Sequence, residues 1–421
     1  MTTSPASAID RQRDLWRDFE SICDCGGRLA GTDSERAATD LLKSLGREAT
    51  GVECRVEPVP YAGWSAVSAE LIGPDGARHA CHPLVRSVAT PKTGLEAEVV
   101  DLGRGTPHDF DARRAEIAGR FVLVRHELMF APDTIHRRLK YRMAVEAGAA
   151  GFLIAGPVPD SLVAGSSGRG DEDGIPAAGI APETANAFAP IGGVRTSARL
   201  RLETREAPAC AENLVFDLPG QTGEWVVLSA HIDGHDLAES AIDNASGLAV
   251  ALDVARHLSR QTERWRRGLR LALFNVEEWA LLGSAHHVAK LSDSERNSIA
   301  LNVNLDSVAG GDCLTALTSG FAGLEPFLAG CAEQAGISLD FHRPLQLNSD
   351  HANFARAGVP AFRLVAGFAD RSAATAGVLT SADTRDKVNV DALLTAARLA
   401  ITITAAALDA DAAEVRCWRG Q

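Results

Sequence analysis

The chain has 421 residues, of which 46% are hydrophobic and 23% are charged. This composition is ordinary for a globular protein, and the length favours two domains or one domain with a large insertion. The net charge of −13, without a long basic run, argues against nucleic acid as a partner.

The first residues, MTTSPASAIDRQRDLW, have neither the basic start nor the apolar centre of a signal peptide. No apolar run stands out as long enough to span a membrane. Eight cysteines without a CxxC pair favour reduced thiols over a disulfide framework. We therefore expect a cytoplasmic protein without a membrane partner, and we leave its oligomeric state open, with a homodimer as one alternative.

The first two hundred residues predict helices, then strands, then a separate unit. Residues 10–45 predict two helices around the glycine-rich turn GGRLAGT, and Thr32 or Asp33 can cap the second helix. Residues 52–72 alternate as β-strands do. From Glu96 onward the pattern predicts two strands, a helix from Arg137 to Ala147, and two further strands.

We interpret residues 86–195 as an inserted domain and residues 1–85 with 196–421 as one discontinuous main domain. The insertion shows no cluster of metal-ligand residue types, which predicts a covering or binding role for it. The alternation of strands and helices in the main domain predicts an α/β fold with a mixed, mostly parallel sheet sandwiched by helices.

Three apolar runs of strand length each stop at residues able to hold a metal ion. Trp225 to Ala230 is followed by His231 and Asp233, and Leu269 to Val276 by Glu277 and Glu278. The third, Ile299 to Leu305, is followed by Asp306. Open α/β sheets build their sites at the carboxyl ends of neighbouring strands, so we expect these side chains to meet.

Between the first two runs, Asp243 and Asn244 open a predicted helix whose apolar positions recur at helical spacing. With His231, Glu278 and Asp306, Asp243 completes a set of one imidazole and three carboxylates, which suits zinc. A carboxylate such as Asp243 can also bridge two ions.

Two neighbours of these ligands have predicted catalytic roles. Glu277 adjoins a ligand without needing to bind metal, which makes it the expected general base for a water molecule. Asp233 lies two residues after His231, and we expect its carboxylate to accept the second imidazole N–H. His286 and His287 fall on a predicted helix, where solvated roles are expected.

At these residues the sequence resembles the di-zinc exopeptidases that include aminopeptidases S and Y, carboxypeptidase Q and glutamate carboxypeptidase. The motifs that carry the resemblance are SAHIDGHD, AIDNASG, FNVEEWALLGS, NLDS, SDHANFARAGVPA and DTRDKV. The insertion resembles a protease-associated domain through GRFVLVRH, MAVEAGAAGFLIAG and GIPAAGI. The resemblance implies the zinc exopeptidase fold and a small peptide or amide as substrate.

By this resemblance His231 and Asp306 would bind one zinc ion, Asp243 would bridge, and Glu278 would bind a second ion. One position departs from the family pattern. A histidine four residues before the DT of the closing motif completes the second zinc's shell in the family, and this chain has Leu379 there. Either another residue substitutes, with His351 the leading candidate and His342 a poorer one, or the second ion is weakly held or absent.

Three functions are compatible with these residues. The first is a zinc-dependent exopeptidase or amide hydrolase. The second is a binding protein that keeps the fold without turnover, which Leu379 would explain. The third is a one-zinc amidase or acyl-transfer enzyme. The direction of cleavage is left open, and Arg28, Arg142 and Arg363 are candidates for binding a substrate carboxylate.

Overall fold

The computed structural model describes residues 5–170, 173–190 and 194–420. Its strands are β1 (Arg55–Ile72), β2 (Arg78–His79), β3 (Cys81–Pro83), β4 (Leu95–Asp101), β5 (Phe121–Arg125), β6 (Gly151–Ala155), β7 (Ala177–Ile180), β8 (Ser197–Leu218), β9 (Trp225–His231), β10 (Gly268–Phe274), β11 (Ile299–Leu305), β12 (Leu314–Leu317), β13 (Leu339–His342) and β14 (Ala361–Ala366).

Its α-helices are α1 (Pro5–Asp24), α2 (Asp33–Thr50), α3 (Pro107–Ala112), α4 (Arg114–Ile117), α5 (Arg137–Glu146), α6 (Pro182–Ala187), α7 (Gly247–Leu258), α8 (Leu282–Lys290), α9 (Asp293–Ser298), α10 (Leu324–Ala335), α11 (His351–Arg356), α12 (Val390–Asp409) and α13 (Ala412–Trp418). The predicted cap of α2 is Thr32, whose hydroxyl accepts the backbone N–H of Glu35 at 3.3 Å.

The main domain is a mixed sheet in the order β13, β12, β14, β11, β9, β10, β8. The four central strands β14, β11, β9 and β10 run parallel, while β12 and β8 are antiparallel to their neighbours β14 and β10. Helices α1, α2, α7, α10 and α12 cover one face of this sheet, and α8 and α11 cover the other. The predicted α/β sandwich is therefore confirmed.

The insert is a smaller sheet in which β4, β5, β6 and β7 run parallel and β3 joins antiparallel to β7. Its extent differs from the prediction, because β1 and β8 pair along almost their whole length and run through both units. The outer ends of these two strands place Leu71, Leu200 and Leu202 in the insert's core, and β3 also precedes residue 86. The alternation of apolar and polar residues along a strand does not show which of two hydrophobic cores its apolar side chains enter.

Helix α12 is long and apolar enough to cross a membrane by length and composition. This differs from the expectation that no apolar run in the sequence reaches that length. In the structure it packs against α7 and α10. Leu393, Leu399 and Ile403 on its inner face are fully buried in the main core. The helix therefore serves as a core element of the main domain.

Candidate metal centre

The side chains predicted as ligands meet at the carboxyl edge of the central strands. β9 lies between β11 and β10, and all three run parallel. His231 ends β9, Asp306 follows β11, and Glu277 and Glu278 follow β10. All four are at least nine-tenths buried. The convergence expected from three neighbouring strand ends is therefore present.

Asp243 reaches the same point from the connection between β9 and β10. It lies in the turn Ala241–Ser246, directly before α7, where its own backbone is not helical. The helix predicted to open at Asp243 thus begins at Gly247 instead. Asp383 accepts the backbone N–H groups of Ile242 at 2.7 Å and Asp243 at 3.2 Å, and these hydrogen bonds anchor the turn over the strand ends.

The atoms in this cluster lie at distances that suit a shared cation. His231 Nε2 is 3.0 Å from Asp243 Oδ1 and 3.6 Å from Asp306 Oδ1. One ligand atom from each of His231, Glu277 and Asp306 lies within 4.8 Å of the others. An imidazole with buried carboxylates is a common donor set for zinc. The residues present, which are His231, Asp306 and their neighbours Asp243 and Glu277, therefore fit a bound zinc ion.

The charges of the cluster also favour a bound cation. Burial opposes a charge on His231, but the carboxylates of Glu277 and Asp306 outweigh it and raise the pKa of the imidazole well above its usual value. Burial raises the pKa of Glu277 strongly, and it raises that of Glu278 to about 8 with the help of Asp243. Neighbouring buried carboxylates resist carrying their charges together, and a bound cation would relieve this repulsion.

The role predicted for the Asp233 carboxylate is wrong. The backbone oxygen of Asp233 lies 3.0 Å from His231 Nδ1, whereas its nearer carboxylate oxygen is 3.9 Å away. The carboxylate instead accepts the backbone N–H groups of Glu277 at 2.9 Å and Glu278 at 3.1 Å. These bonds are available because Val276, with φ of 51°, turns the chain sharply after β10. The Asp233 carboxylate therefore holds the backbone of the two glutamates in place.

Leu379 occupies the neighbourhood of the expected second ion. It lines a small cavity of about 40 Å³ together with Asp243, Glu277, Glu278 and Asp306. Glu278 Oε1 is buried there without a hydrogen-bond partner. Of the predicted ligands of a second ion, Asp243 and Glu278 line this cavity, and the leucine at position 379 adds no donor.

Neither proposed substitute for the missing histidine lines this cavity. His351 is fully buried at the start of α11, and neither ring nitrogen has a hydrogen-bond partner in the described structure. Burial lowers the pKa of His351 to about 3, so its ring is neutral. His342 instead lines a larger, neighbouring cleft. The expectation that His351 acts as a ligand therefore receives no support from its position.

The insert contributes side chains to the lining of the site, which agrees with the covering or binding role predicted for it. His136, Arg137 and Arg138 at the start of α5 line the small cavity beside Glu277 and Glu278. The signal in the sequence is the run HRR at the start of the predicted helix, which contains no acidic residue and therefore does not resemble a metal-binding motif.

Arg363 enters the cavity from β14. Its Nη2 atom is 3.0 Å from Asp306 Oδ1, and its guanidinium lies 4.4 Å from the ring centre of Phe130 in the insert. Burial opposes the charge on Asp306, but Arg363 and His231 outweigh it and hold its pKa well below the usual range. Ser349 also donates a hydrogen bond to the Asp306 carboxylate. Arg363 and Ser349 therefore orient the carboxylate of Asp306, which is a predicted metal ligand.

The other two arginines considered for substrate binding have different surroundings. Arg28 is fully buried and donates to four backbone carbonyls, those of Ile232, Gly26, Glu239 and Ser240. It therefore fastens the glycine-rich turn to the loop after β9. Arg142 is exposed at the rim of the larger cleft and pairs with Glu146 at 3.7 Å.

The larger cleft has a volume of about 700 Å³ and separates residues 129–145 of the insert from residues 342–348 of the main domain. It shares Met129, His136, Arg138 and Asn348 with the small cavity. A ligand in this cleft would therefore reach the metal centre at its inner end.

A mixed α/β sheet with buried imidazole and carboxylate ligands at its strand ends has the architecture of a metal-dependent hydrolase. Residues 213–404 match the sequence model of Peptidase family M28, and residues 80–188 match that of the PA domain. The main domain is therefore similar to peptidases of family M28, and the insert is similar to PA domains. The resemblance stated from the motifs is confirmed.

Two curated relatives are similar to this chain. Aminopeptidase YwaD of Bacillus subtilis is 27% identical over 286 residues, which cover 67% of this chain and 58% of the relative. Carboxypeptidase Q of Xenopus laevis is 25% identical over 276 residues, covering 62% and 58%. The chain thus spans less than two thirds of the length of either relative.

Solved structures show that the fold extends over nearly the whole chain. A peptidase M28 precursor from Shewanella amazonensis superposes with a TM-score of 0.78 at 21% identity, covering 96% of this chain and 97% of that one. BSAP, a zinc aminopeptidase from Bacillus subtilis, superposes with a TM-score of 0.75 at 22% identity, covering 94% and 95%.

Proposed function

We propose that this chain is a zinc-dependent exopeptidase that hydrolyses a peptide or small amide bond with a water molecule activated by Glu277. The observation that carries the proposal is the convergence of His231, Asp243 and Asp306 beside a buried glutamate that the metal does not need. A general base adjoining a complete set of ligands has no evident purpose in a protein that only binds. The names of the relatives, which include both an aminopeptidase and a carboxypeptidase, support this class.

We further propose that one zinc ion is held tightly. His231, Asp243 and Asp306 supply three protein ligands, which is the number that leaves a catalytic zinc site open to water or substrate. Zinc bound there would polarise the scissile carbonyl group and make a water molecule more acidic. The position beside Glu278 offers one unshared carboxylate and the apolar Leu379, so a second ion would bind more weakly.

Glu277 would perform both proton transfers. Its carboxylate would take a proton from the attacking water and then deliver that proton to the amine that leaves. Asp233 would keep the Glu277 backbone in place through the 2.9 Å hydrogen bond. The burial of Glu277 favours this exchange, because a carboxylate shielded from water is a stronger base than an exposed one.

The shape of the site favours a chain end over the middle of a protein. The metal centre opens into a cavity of about 40 Å³, which is reached through the larger cleft between the two domains. A short peptide or an amide fits a cleft of about 700 Å³, which lies within the range typical of small-molecule sites. The proposal does not specify whether the enzyme cleaves from the amino or the carboxyl end of the substrate.

The decisive variant is Glu277→Gln, which keeps the size of the side chain and removes its basicity. We expect turnover to fall by about 10²–10⁴-fold, the usual contribution of a general base, while one zinc ion per chain is retained. Free, N-blocked and C-blocked dipeptides, analysed by mass spectrometry, would establish the direction of cleavage. Unchanged turnover in Glu277→Gln would contradict the assigned role.

Metal analysis separates this proposal from the binding-protein alternative. After mild dialysis the purified chain should hold one zinc ion. A chain that holds none and cleaves none of the dipeptides or simple amides would favour a binding function. Two tightly held ions would contradict the proposed stoichiometry without affecting the assignment of Glu277.

A further inference from the structure

We infer that Arg137 and Arg138 of the insert supply the positive charge beside Glu278 that a second metal ion would otherwise provide, and that they bind an anionic oxygen of the substrate. The inference rests on the proposed function and deepens it. The anionic oxygen has two sources in amide hydrolysis, which are a substrate carboxylate and the oxyanion that forms at the attacked carbonyl carbon.

The insert is fastened to the main domain next to Leu379. Val163 and Thr380 form an antiparallel bridge. The backbone N–H of Ala164 donates to the Leu379 carbonyl at 2.8 Å, and the N–H of Ser381 donates to the Leu162 carbonyl at 3.2 Å. The segment 162–165 of the insert therefore lies against the segment that carries the replaced histidine position.

The same segment of the insert shapes the position of Arg137. Gly165, with φ of +87°, is so close to Arg137 that an added Cβ would lie 2.4 Å from Nη2. The next residue, Ser166, accepts a hydrogen bond from Arg137 Nε at 2.6 Å. A left-handed glycine at this point lets the loop approach the guanidinium closely. The loop that contacts Leu379 thus also holds Arg137.

Arg137 has an unused donor in the cavity. The side chain is 2% exposed, and its Nη1 atom has no hydrogen-bond partner. Neither Arg137 nor Arg138 forms an ion pair with a carboxylate in the part of the chain that the structure describes. A buried, unpaired cationic donor is costly, and an anionic ligand would satisfy it.

Arg138 extends the cationic surface toward the larger cleft. It is half-buried, its Nε atom lacks a partner, and it lines both the small cavity and the cleft. Gly168 packs against it, since an added Cβ there would lie 2.6 Å from Arg138 Cβ. The pair of arginines therefore stands between the metal centre and the space that a substrate would occupy.

The charges that line the cavity favour one ion and an anionic ligand. The cavity is lined by four carboxylates and three guanidinium groups, which belong to Asp243, Glu277, Glu278, Asp306, Arg137, Arg138 and Arg363. Arg137 and Arg138 thus place positive charge beside Glu278, and this charge would repel a second divalent cation and attract an anionic oxygen.

Calorimetric binding to the zinc-loaded chain tests the anion site without requiring turnover. The probes are N-acetylglycine, which carries a carboxylate, and N-acetylglycinamide, which does not. We expect Arg137→Gln to weaken N-acetylglycine binding at least tenfold, because a hydrogen bond between two charged groups is lost. Binding of the amide should stay unchanged. The matched control is Arg199→Gln, which removes an exposed arginine at the insert end of β8 that pairs with Glu96.

Kinetics distinguish the two sources of the anionic oxygen. If Arg137→Gln slows cleavage of blocked dipeptides with a free carboxylate but not of their C-terminal amides, the ligand is the substrate carboxylate. An equal loss on both identifies the oxyanion. A wild-type chain that cleaves neither would refute the proposed function, and the calorimetry would still decide the anion site.

Zinc stoichiometry tests the relation to the second ion. Leu379→His alone should keep one zinc ion per chain, whereas Leu379→His combined with Arg137→Gln should bind a second. Tight binding of a second ion by the single variant would overturn the inference. It would equally be overturned if Arg137→Gln bound N-acetylglycine as tightly as wild type and cleaved both kinds of blocked dipeptide as fast, or if Arg199→Gln lost as much affinity.

Discussion

Replacing Asp233 by Asn separates two ways in which this residue could support catalysis. In the structure its carboxylate accepts the backbone N–H groups of Glu277 and Glu278, and its backbone oxygen contacts His231. Asparagine leaves the backbone oxygen unchanged. It also keeps one side-chain oxygen but presents an NH₂ group to the second backbone N–H.

The expected cost follows from these two hydrogen bonds. A bond to a charged acceptor contributes about 1.5–3 kcal/mol, and the N–H left without an acceptor adds a desolvation cost of about 1–3 kcal/mol. Because the asparagine oxygen retains one weaker bond, we expect the free energy of unfolding to fall by roughly 2–4 kcal/mol. A shift of the glutamates by about 1 Å would lower turnover about 10²-fold.

Urea unfolding of the zinc-loaded chain, equilibrium dialysis against zinc and steady-state kinetics measure these effects. Zinc affinity should change less than tenfold, because the contact between His231 and the backbone oxygen of residue 233 is retained. A matched control is Asp236→Asn, since Asp236 pairs with His82 at 3.0 Å outside the metal cluster. A large loss of zinc affinity with normal turnover would refute the positioning role and restore an effect of the carboxylate on the imidazole.

Two further predictions concern residues around the site and the join between β1 and α8. Ser349→Ala should weaken zinc binding by about 10–100-fold in equilibrium dialysis, because Ser349 orients Asp306 and itself accepts a hydrogen bond from Asn304 at 2.7 Å; unchanged affinity would exclude this role. Burial opposes the charge on Glu57, but its bonds to His287 and Arg55 lower its pKa from 4.5 to about 2. A lowered folded-state pKa adds stability above pH 4.5 that is lost as the pH falls toward 2, so Glu57→Gln should flatten the acid limb of the stability curve. An acid limb equal to that of wild type would contradict this assignment.

The contact between His287 and Glu57 also shows what the helical periodicity of α8 cannot predict. His287 falls on a helix whose sequence predicts a solvated imidazole, yet it is 2% exposed and its Nδ1 atom lies 2.9 Å from Glu57 Oε2. Its partner comes from β1, which is 230 residues earlier in the chain. Helical periodicity describes the faces of one helix and contains no information about a strand that packs on one of them.

The candidate metal centre could be predicted to the extent that it depends on strand ends. The runs ending at His231, Glu277 and Asp306 were each recognisable locally, and a parallel sheet necessarily brings such ends to one edge. Asp243 belonged to the same prediction through its place before a helix. Its anchoring by Asp383 was not predictable, because that bond joins two loops 140 residues apart.

The sequence by itself determined the fold class and the residues that end the three central strands, among them the proposed zinc ligands and the proposed general base, because strand periodicity and the residues that end it are local properties. Only the tertiary structure decided that Asp233 holds the two glutamates, and that Arg137 and Arg138 lie beside them. The first depends on a left-handed turn at Val276, and the second on the docking of segment 162–165 against Leu379. Both are long-range geometries that loop closure and packing establish after the local elements have formed.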